Sequence, residues 1–395
     1  MAKKIGCVIA YKPKHTNYGT SLVGYALLKK IQMLGYDVEV INYKKQLSFM
    51  QKMAFVWNAV RAGEAKELFM RANANKILQA HPQYAAGIAE RIEAVEAYKA
   101  QKLLPLFHDY VGYDALHEGS KNYDAVVVGS DQVWTPMSLP NKFFNLLFVD
   151  DSVRKVAYAS SFGVSVIPDF QKKATGAYLD RFQTIGVREQ KGKEIVDTLS
   201  HQKAIVVADP TMLQNAKEWE EEIYSNDNHN DNEKMPYIFC YFLGTNPEGR
   251  KAAEKLKAKT GYKIITLRHM DEYYEPDEEF GDEAPYDVDP NRFLRLIHDA
   301  AYVCTDSFHC SAFSIQFHKQ FMTFYRFAQG SATGRNSRID SLFNVLGVNR
   351  ERIYGSQENG KDVFKIEQQV DWSVVDEKLT KLREDSVDFL DKALK

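Results

Sequence analysis

Two short clusters carry side chains that move protons and hold anions, and each follows an apolar run. Asp306-Ser307-Phe308-His309-Cys310-Ser311 comes after the run that ends at Cys304. An imidazole at 309, set at the start of a helix, can give or take a proton near neutral pH. Ser307 and the free amides of that helix start can hold an anion. Gly129-Ser130-Asp131-Gln132-Val133-Trp134 follows the run Asp124 to Val128 in the same way. There Ser130 and Asp131 can orient hydroxyls such as those of a sugar, Asp131 can act as a base, and Trp134 can wall off a sugar ring. Serine and aspartate are also ordinary helix caps, and that reading stands beside the functional one.

Cations recur near strand ends. Arg188, in Gly186-Val187-Arg188-Glu189, can grip a carboxylate or phosphate with two N–H groups, or simply pair with Glu189. Asn17 lies in the loop Lys12 to Thr20 before the first helix, which holds two lysines and a histidine and matches no standard phosphate-loop pattern. Arg268, His269, Arg326, Arg335 and Arg338 are scattered through the second half. Gathered at one cleft, they suit a small anionic donor. The acidic run Asp271 to Glu283 reads as a solvated loop or a lid and lacks a calcium-loop pattern. The four cysteines form no paired motif, so we expect reduced thiols in a cytoplasmic protein, with no metal and no cofactor.

The elements that must position these residues follow from hydrophobic patterning. Ile5 to Ala10 reads as a buried parallel strand, about Ser21 to Leu34 as a helix capped by Gly35, and Asp37 to Asn42 as a second strand. Such a β-α-β opening implies a doubly wound sheet. Residues 44 to about 108 show helical patterning and no strand. Further strands are expected at Asp124 to Val128, Lys155 to Ala159, Thr184 to Val187 and Ala204 to Ala208. The polar stretch at 224–235 marks a boundary. A second α/β unit then has strands at Tyr237 to Phe242, Lys263 to Leu267, Tyr302 to Thr305 and Gln320 to Tyr325, and a terminal helix. The expected domains are 1–223, with a helical insertion at about 44–108, and 236–395. Ligands of doubly wound sheets sit beyond the carboxyl ends of the strands, where the polar clusters fall.

The chain has 395 residues, enough for two cores, and a net charge of −2, which gives no bulk attraction to nucleic acid. The apolar run at the start is too short for a signal peptide, and no segment reaches the roughly 20 apolar residues that span a bilayer. The stretch Lys44 to Arg61 sets Leu47, Phe49, Met50, Met53, Phe55, Val56 and Trp57 among Lys44, Lys45, Lys52 and Arg61. It can pack on the first domain, form a dimer contact, or lie on the inner membrane face as a peripheral contact.

In order along the chain, several motifs resemble those of the polysaccharide pyruvyl transferase family. They are Asn17-Tyr18-Gly19, Gly35 to Tyr43, Val128 to Trp134, Ala159 to Gly163, Val187-Arg188-Glu189, Asp209-Pro210-Thr211 and Thr305 to His309. The resemblance implies two Rossmann-like domains arranged as in GT-B glycosyltransferases. It implies phosphoenolpyruvate as donor, a saccharide acceptor that includes lipid-linked ones, and a cyclic pyruvate ketal as product. It also implies donor-binding roles for Arg188 and His309. Where family members often carry Arg-Leu before the histidine, this chain carries Ser307-Phe308, leaving Arg268 and Arg326 as candidate replacements. Two other functions suit the same fold: a glycosyltransferase using a nucleotide sugar, and a non-catalytic sugar-binding subunit.

Overall fold

The computed structural model describes residues 2–46, 49–61, 76–224, 235–270, 272–326, 336–354 and 366–395. Among them, seven strands form one sheet: β1 (Lys4–Val8), β2 (Asp37–Lys44), β3 (Phe107–Val111), β4 (Ala125–Val128), β5 (Arg154–Ser160), β6 (Thr184–Val187) and β7 (Ala204–Val206). Their spatial order is β3-β2-β1-β4-β5-β6-β7. Five more form a second sheet: β8 (Tyr237–Tyr241), β9 (Lys263–Leu267), β10 (Tyr302–Thr305), β11 (Gln320–Phe324) and β12 (Ile353–Tyr354), in the order β12-β11-β10-β8-β9. Every pairing is parallel. Strands such as Ala125–Val128 and Tyr237–Tyr241 are buried along their whole length, as parallel strands covered on both faces must be. The strand order reverses between β1 and β4 and between β8 and β10, and crevices open at such reversals. The chain thus has the two doubly wound units its patterning implies.

Helices α1 (Tyr18–Met33), α2 (Phe49–Arg61), α3 (Pro82–Lys102), α4 (Tyr113–Ser120), α5 (Asp169–Leu179), α6 (Gln190–Leu199) and α7 (Ala216–Tyr224) accompany the first sheet. With the second come α8 (Pro247–Thr260), α9 (Pro290–Asp299), α10 (Phe308–Gln316) and α11 (Ser337–Leu346), and α12 (Trp372–Leu394) follows. Asn17 starts α1 by accepting the Thr20 amide at 3.3 Å, and Leu22, Leu27, Leu28 and Ile31 anchor the helix in the core. Gly35, at φ 89°, lets the chain turn into β2.

Three expectations need correction. The strand-free range to 108 overlaps β3, whose Phe107-His108-Asp109-Tyr110-Val111 has no apolar run because it is an edge strand burying only Tyr110. The terminal helix α12, expected with the second unit, spans both: Trp372 stacks on His318 of the second unit, centroids 4.7 Å apart, and its last turns lie against the first sheet. Ser386 Oγ accepts the Ala208 amide at 2.9 Å, Arg154 Nη1 donates to the Ala393 carbonyl at 3.2 Å, and Tyr36 donates to Asp391 at 3.0 Å. That sheet face needs an apolar cover, and α12 supplies Leu390, Ala393 and Leu394. The acidic run is anchored, not merely solvated: buried Asp277 takes both Nε and Nη2 of Arg250, the latter at 3.0 Å. The expected boundary falls largely on 225–234, and Arg335 and Asp271 also lie outside the described residues.

The two units meet along a seam built by α1 and α3. Tyr18 stacks on Phe293, centroids 4.5 Å apart and planes 10° apart, and its hydroxyl donates to the Val288 carbonyl at 3.0 Å. Arg91 is buried and donates to the carbonyls of Tyr286 (2.7 Å) and Pro285 (2.8 Å), while Tyr84 donates to that of His269 at 3.2 Å. At Gly87 a β-carbon would fall 2.2 Å from the Tyr286 ring, so only glycine permits this approach.

Candidate active site

The carboxyl ends of both sheets converge on one buried carboxylate, Asp209, just beyond β7. Its Oδ1 accepts the Thr211 amide (3.0 Å) and hydroxyl (2.8 Å), which fixes the side chain over the short turn Pro210–Met212. Its Oδ2 accepts Arg188 Nη1 at 3.0 Å and Ser130 Oγ at 3.2 Å. His309 Nε2 stands 3.6 Å from the same oxygen, an ion-pair contact longer than a hydrogen bond. A single oxygen therefore gathers the loops after β4 and β6 and the first turn of α10 from the other unit.

Each partner is held from behind. Arg188 lies over the Phe308 ring, 4.9 Å from guanidinium carbon to centroid, with Asp131 3.9 Å and Glu189 3.8 Å from its nitrogens. The imidazole of His309 packs on Gly19 at the start of α1, where a β-carbon would lie 2.1 Å from Nδ1. Asp131 has φ 84°, a strained value for a non-glycine residue, and is fixed by the Thr20 hydroxyl (2.9 Å) and the Gln132 amide (2.8 Å).

Burial and charge pull against each other here. Burial acts to raise the Asp209 pKa, but His309, Arg188 and the Thr211 amide hold it far below the usual carboxylate range. Asp131 follows the same pattern: burial raises, and Arg188, His309 and the Thr20 hydroxyl win, so it is lowered. Glu189 goes the other way, because burial outweighs Arg188 and the Ser161 hydroxyl that donates to it at 2.7 Å.

The structure brings together His309, Arg188, Ser130 and Asp131 of the residues singled out from sequence. Asn17 and Ser307 serve the site as caps: Asn17 starts the helix that presents Gly19 and Thr20, and Ser307 accepts the Cys310 amide at 3.4 Å. Arg326 reaches the rim, donating to the Asp306 carbonyl at 3.2 Å. Two expectations fail. Trp134 is buried among Phe162, Tyr178 and Phe182 and donates to the Phe144 carbonyl at 3.0 Å, so it is core and not a wall for a sugar ring. Arg268 is tied to the Tyr286 hydroxyl (2.9 Å) and the Glu278 carbonyl (3.0 Å), away from Asp209 and its partners. The sequence analysis offered Arg338 only as one of several scattered cations and gave neither Asp209 nor Glu189 a place in the site. The signal for Asp209 was present, since it is the polar residue that ends the β7 segment.

The cluster leaves more donors than acceptors unclaimed, the acceptor being Glu189 Oε2. Arg188 Nε and Nη2, Arg326 Nε, Arg338 Nε and His309 Nε2 are buried without a hydrogen-bond partner. Buried donors are normally satisfied, so this convergence suits an acceptor-rich, anionic ligand. The void bordering Arg188 and Phe308 is about 20 Å³. A wider cleft of about 390 Å³ lies by β9 and α9, but its Arg292 and Arg295 are paired with Asp287 and Asp299, and none of the cluster lines it. Among the described residues, no group of three or more His, Cys, Asp or Glu side chains is placed to hold a metal ion.

Several solved structures are similar to this chain at very low identity. A putative UDP-N-acetylglucosamine 2-epimerase from Listeria monocytogenes is 9% identical, with a TM-score of 0.48 over 92% of this chain and 90% of that one. The S. aureus MnaA–UDP co-structure is 11% identical, with a TM-score of 0.48 over 92% of this chain and 86% of that one. The glycosyltransferase SnogD from Streptomyces nogalater is 9% identical, with a TM-score of 0.43 over 98% and 95%. No curated protein matches the chain. The sequence model of the family described as polysaccharide pyruvyl transferase matches residues 17–326, which hold Ser130, Asp131, Arg188, Asp209, His309 and Arg326, and the chain belongs to that family of transferases.

Proposed function

We propose that this enzyme transfers the pyruvyl unit of phosphoenolpyruvate to two hydroxyls of one sugar, forming a cyclic ketal and releasing phosphate. The observation that carries this reading is the convergence of Arg188 and His309 on Asp209 Oδ2, with donor atoms of both left unclaimed. Arg188 holds the donor carboxylate. His309, with its Nε2 3.6 Å from Asp209 Oδ2, gives its Nε2 proton to the donor's methylene carbon. That carbon becomes a methyl group, and the adjacent carbon becomes an oxocarbenium-like centre. A sugar hydroxyl attacks this centre, and its proton returns to the now neutral imidazole. The carbon–oxygen bond to phosphate breaks, the second hydroxyl closes the ketal, and its proton leaves with phosphate. Asp131 stays ionised, which suits it, with Ser130, to orient a hydroxyl rather than deprotonate one. Positioning and charge stabilisation do most of the work.

The acceptor is a saccharide, and we place it on a lipid carrier at the cytoplasmic face of a membrane. On α2, Met50 (76% exposed), Trp57 (65%), Met53, Val56 and Val60 face solvent, and Lys44 to Arg61 holds four basic and no acidic residues. This charge and apolar surface fit an anionic bilayer interface. Among the described residues no helix is long and apolar enough to cross a membrane, so contact would be peripheral. Four buried, unpaired cysteines suit a reducing compartment.

Phosphate release from phosphoenolpyruvate in the presence of candidate saccharides tests the reaction. His309→Ala should lower turnover at least ~10²-fold, the usual share of a general acid, with donor affinity largely kept through Arg188. Near-normal turnover would remove His309 from the role. Stabilisation of the folded chain by nucleotide sugars and not by phosphoenolpyruvate would replace the donor.

A further inference from the structure

Two cations lie over the ring of Phe308. Arg188 lies 4.9 Å from its ring centroid, and Arg338, from the first turn of α11, lies 5.9 Å from the same centroid. The two guanidiniums differ in their compensation. Arg188 is matched at 3.0 Å by Asp209, with Asp131 and Glu189 just beyond. Arg326 nearby is partly matched by Asp306 at 3.5 Å. Arg338 has no carboxylate at ion-pair distance among the described residues, and its buried Nε donates to nothing. Burial and the neighbouring Arg188 and Arg326 cations press its pKa down to about 9 against the pull of Glu189 and Asp131, and it stays charged at neutral pH. A cation beside two others, half-buried, with its Nε unclaimed and no carboxylate at ion-pair distance, is an unfavourable arrangement for the empty protein, and an anion relieves it.

We infer that Arg338 is a second anion-binding residue of this site, holding the donor's phosphate while Arg188 holds its carboxylate. The division follows from charge. Arg188 is largely neutralised by Asp209 and suits a monoanion, whereas Arg338, supported by Arg326, has positive charge left for a dianion. This rests on the donor reading above and deepens it: the site takes small molecules with two separated anionic groups.

Binding of two fragments of the donor, inorganic phosphate and pyruvate, to the full chain tests the assignment by titration calorimetry. Arg338→Gln should weaken phosphate at least about tenfold and change pyruvate less than about twofold, as loss of one charge-assisted contact predicts. Arg188→Gln should do the reverse, and Arg338→Lys should restore part of the phosphate affinity. Unchanged phosphate binding in a folded Arg338→Gln protein, or equal loss of both fragments, overturns the proposal. If that variant does not fold, the wild-type chain still decides. Phosphate should protect the peptide containing Arg338 from an arginine-directed dicarbonyl reagent, and equal labelling with and without phosphate counts against us. A wild type that binds phosphate through Arg338 but never turns over phosphoenolpyruvate would sink the donor reading and leave this one standing. Turnover without any effect of Arg338 on phosphate would do the opposite.

Discussion

Asp209 is a carboxylate surrounded by donors from three separate segments, and its energetics set a measurable pH signature. Its folded pKa is depressed, so its stabilisation is complete above the unfolded value of about 3.9 and is lost as pH falls from there toward the folded value. Asp209→Asn leaves Arg188 buried without its closest counter-charge and should cost about 3–5 kcal/mol, the usual range for breaking a buried pair. Denaturant melts should show that deficit constant between pH 6 and 8 and shrinking below about pH 4. A deficit independent of pH down to 3 would mean the charge is not what matters. At this scale the sequence was readable where a polar residue directly follows an apolar strand: Ser130, Asp131, Arg188 and His309 all stand there. It misled at Trp134, because an aromatic residue in a polar loop looks the same whether it covers a ligand or fills a core. Arg338 was legible only as one of several scattered cations, because nothing local tells a helix arginine that it will face Phe308.

At the level of elements, the strands buried on both faces were legible because each is a short apolar run between turn signals. Edge strand β3 was not, since His108 and Asp109 face outward and break the pattern. Helix α10 starts at Phe308, which puts His309 inside the first turn with Ser307 as its cap, as the helix start expected around 309 requires. Helix α2 carries a prediction of its own. If its exposed Met50, Met53 and Trp57 meet a bilayer, the chain should co-sediment with vesicles rich in anionic lipid and not with neutral ones. Trp57→Ser combined with Lys52→Glu should abolish that binding while phosphate release with a soluble acceptor persists. Equal recovery in the supernatant with both vesicle types would remove membrane contact from the proposed function.

For the whole molecule, the seam decides how far the two units can move independently. Tyr18, Tyr84 and Arg91 from α1 and α3 are bonded to carbonyls of residues 269–288 in the second unit. Arg91→Met would leave the Tyr286 and Pro285 carbonyls unpaired in the interior, a loss of about 2 kcal/mol or more. Calorimetry should show a single transition for the wild type and a lower, broadened or divided one for the variant. An unchanged single transition would mean the seam does not couple the units. The return of α12 to the first sheet bears on how the chain is made. The Ala208 amide finds its partner only at Ser386, 178 positions later. A nascent first unit leaving the ribosome therefore lacks its cover until the entire second unit has been synthesised. Vectorial folding, in which one half finishes before the other begins, is closed to this topology, and the half made first is the last to be sealed.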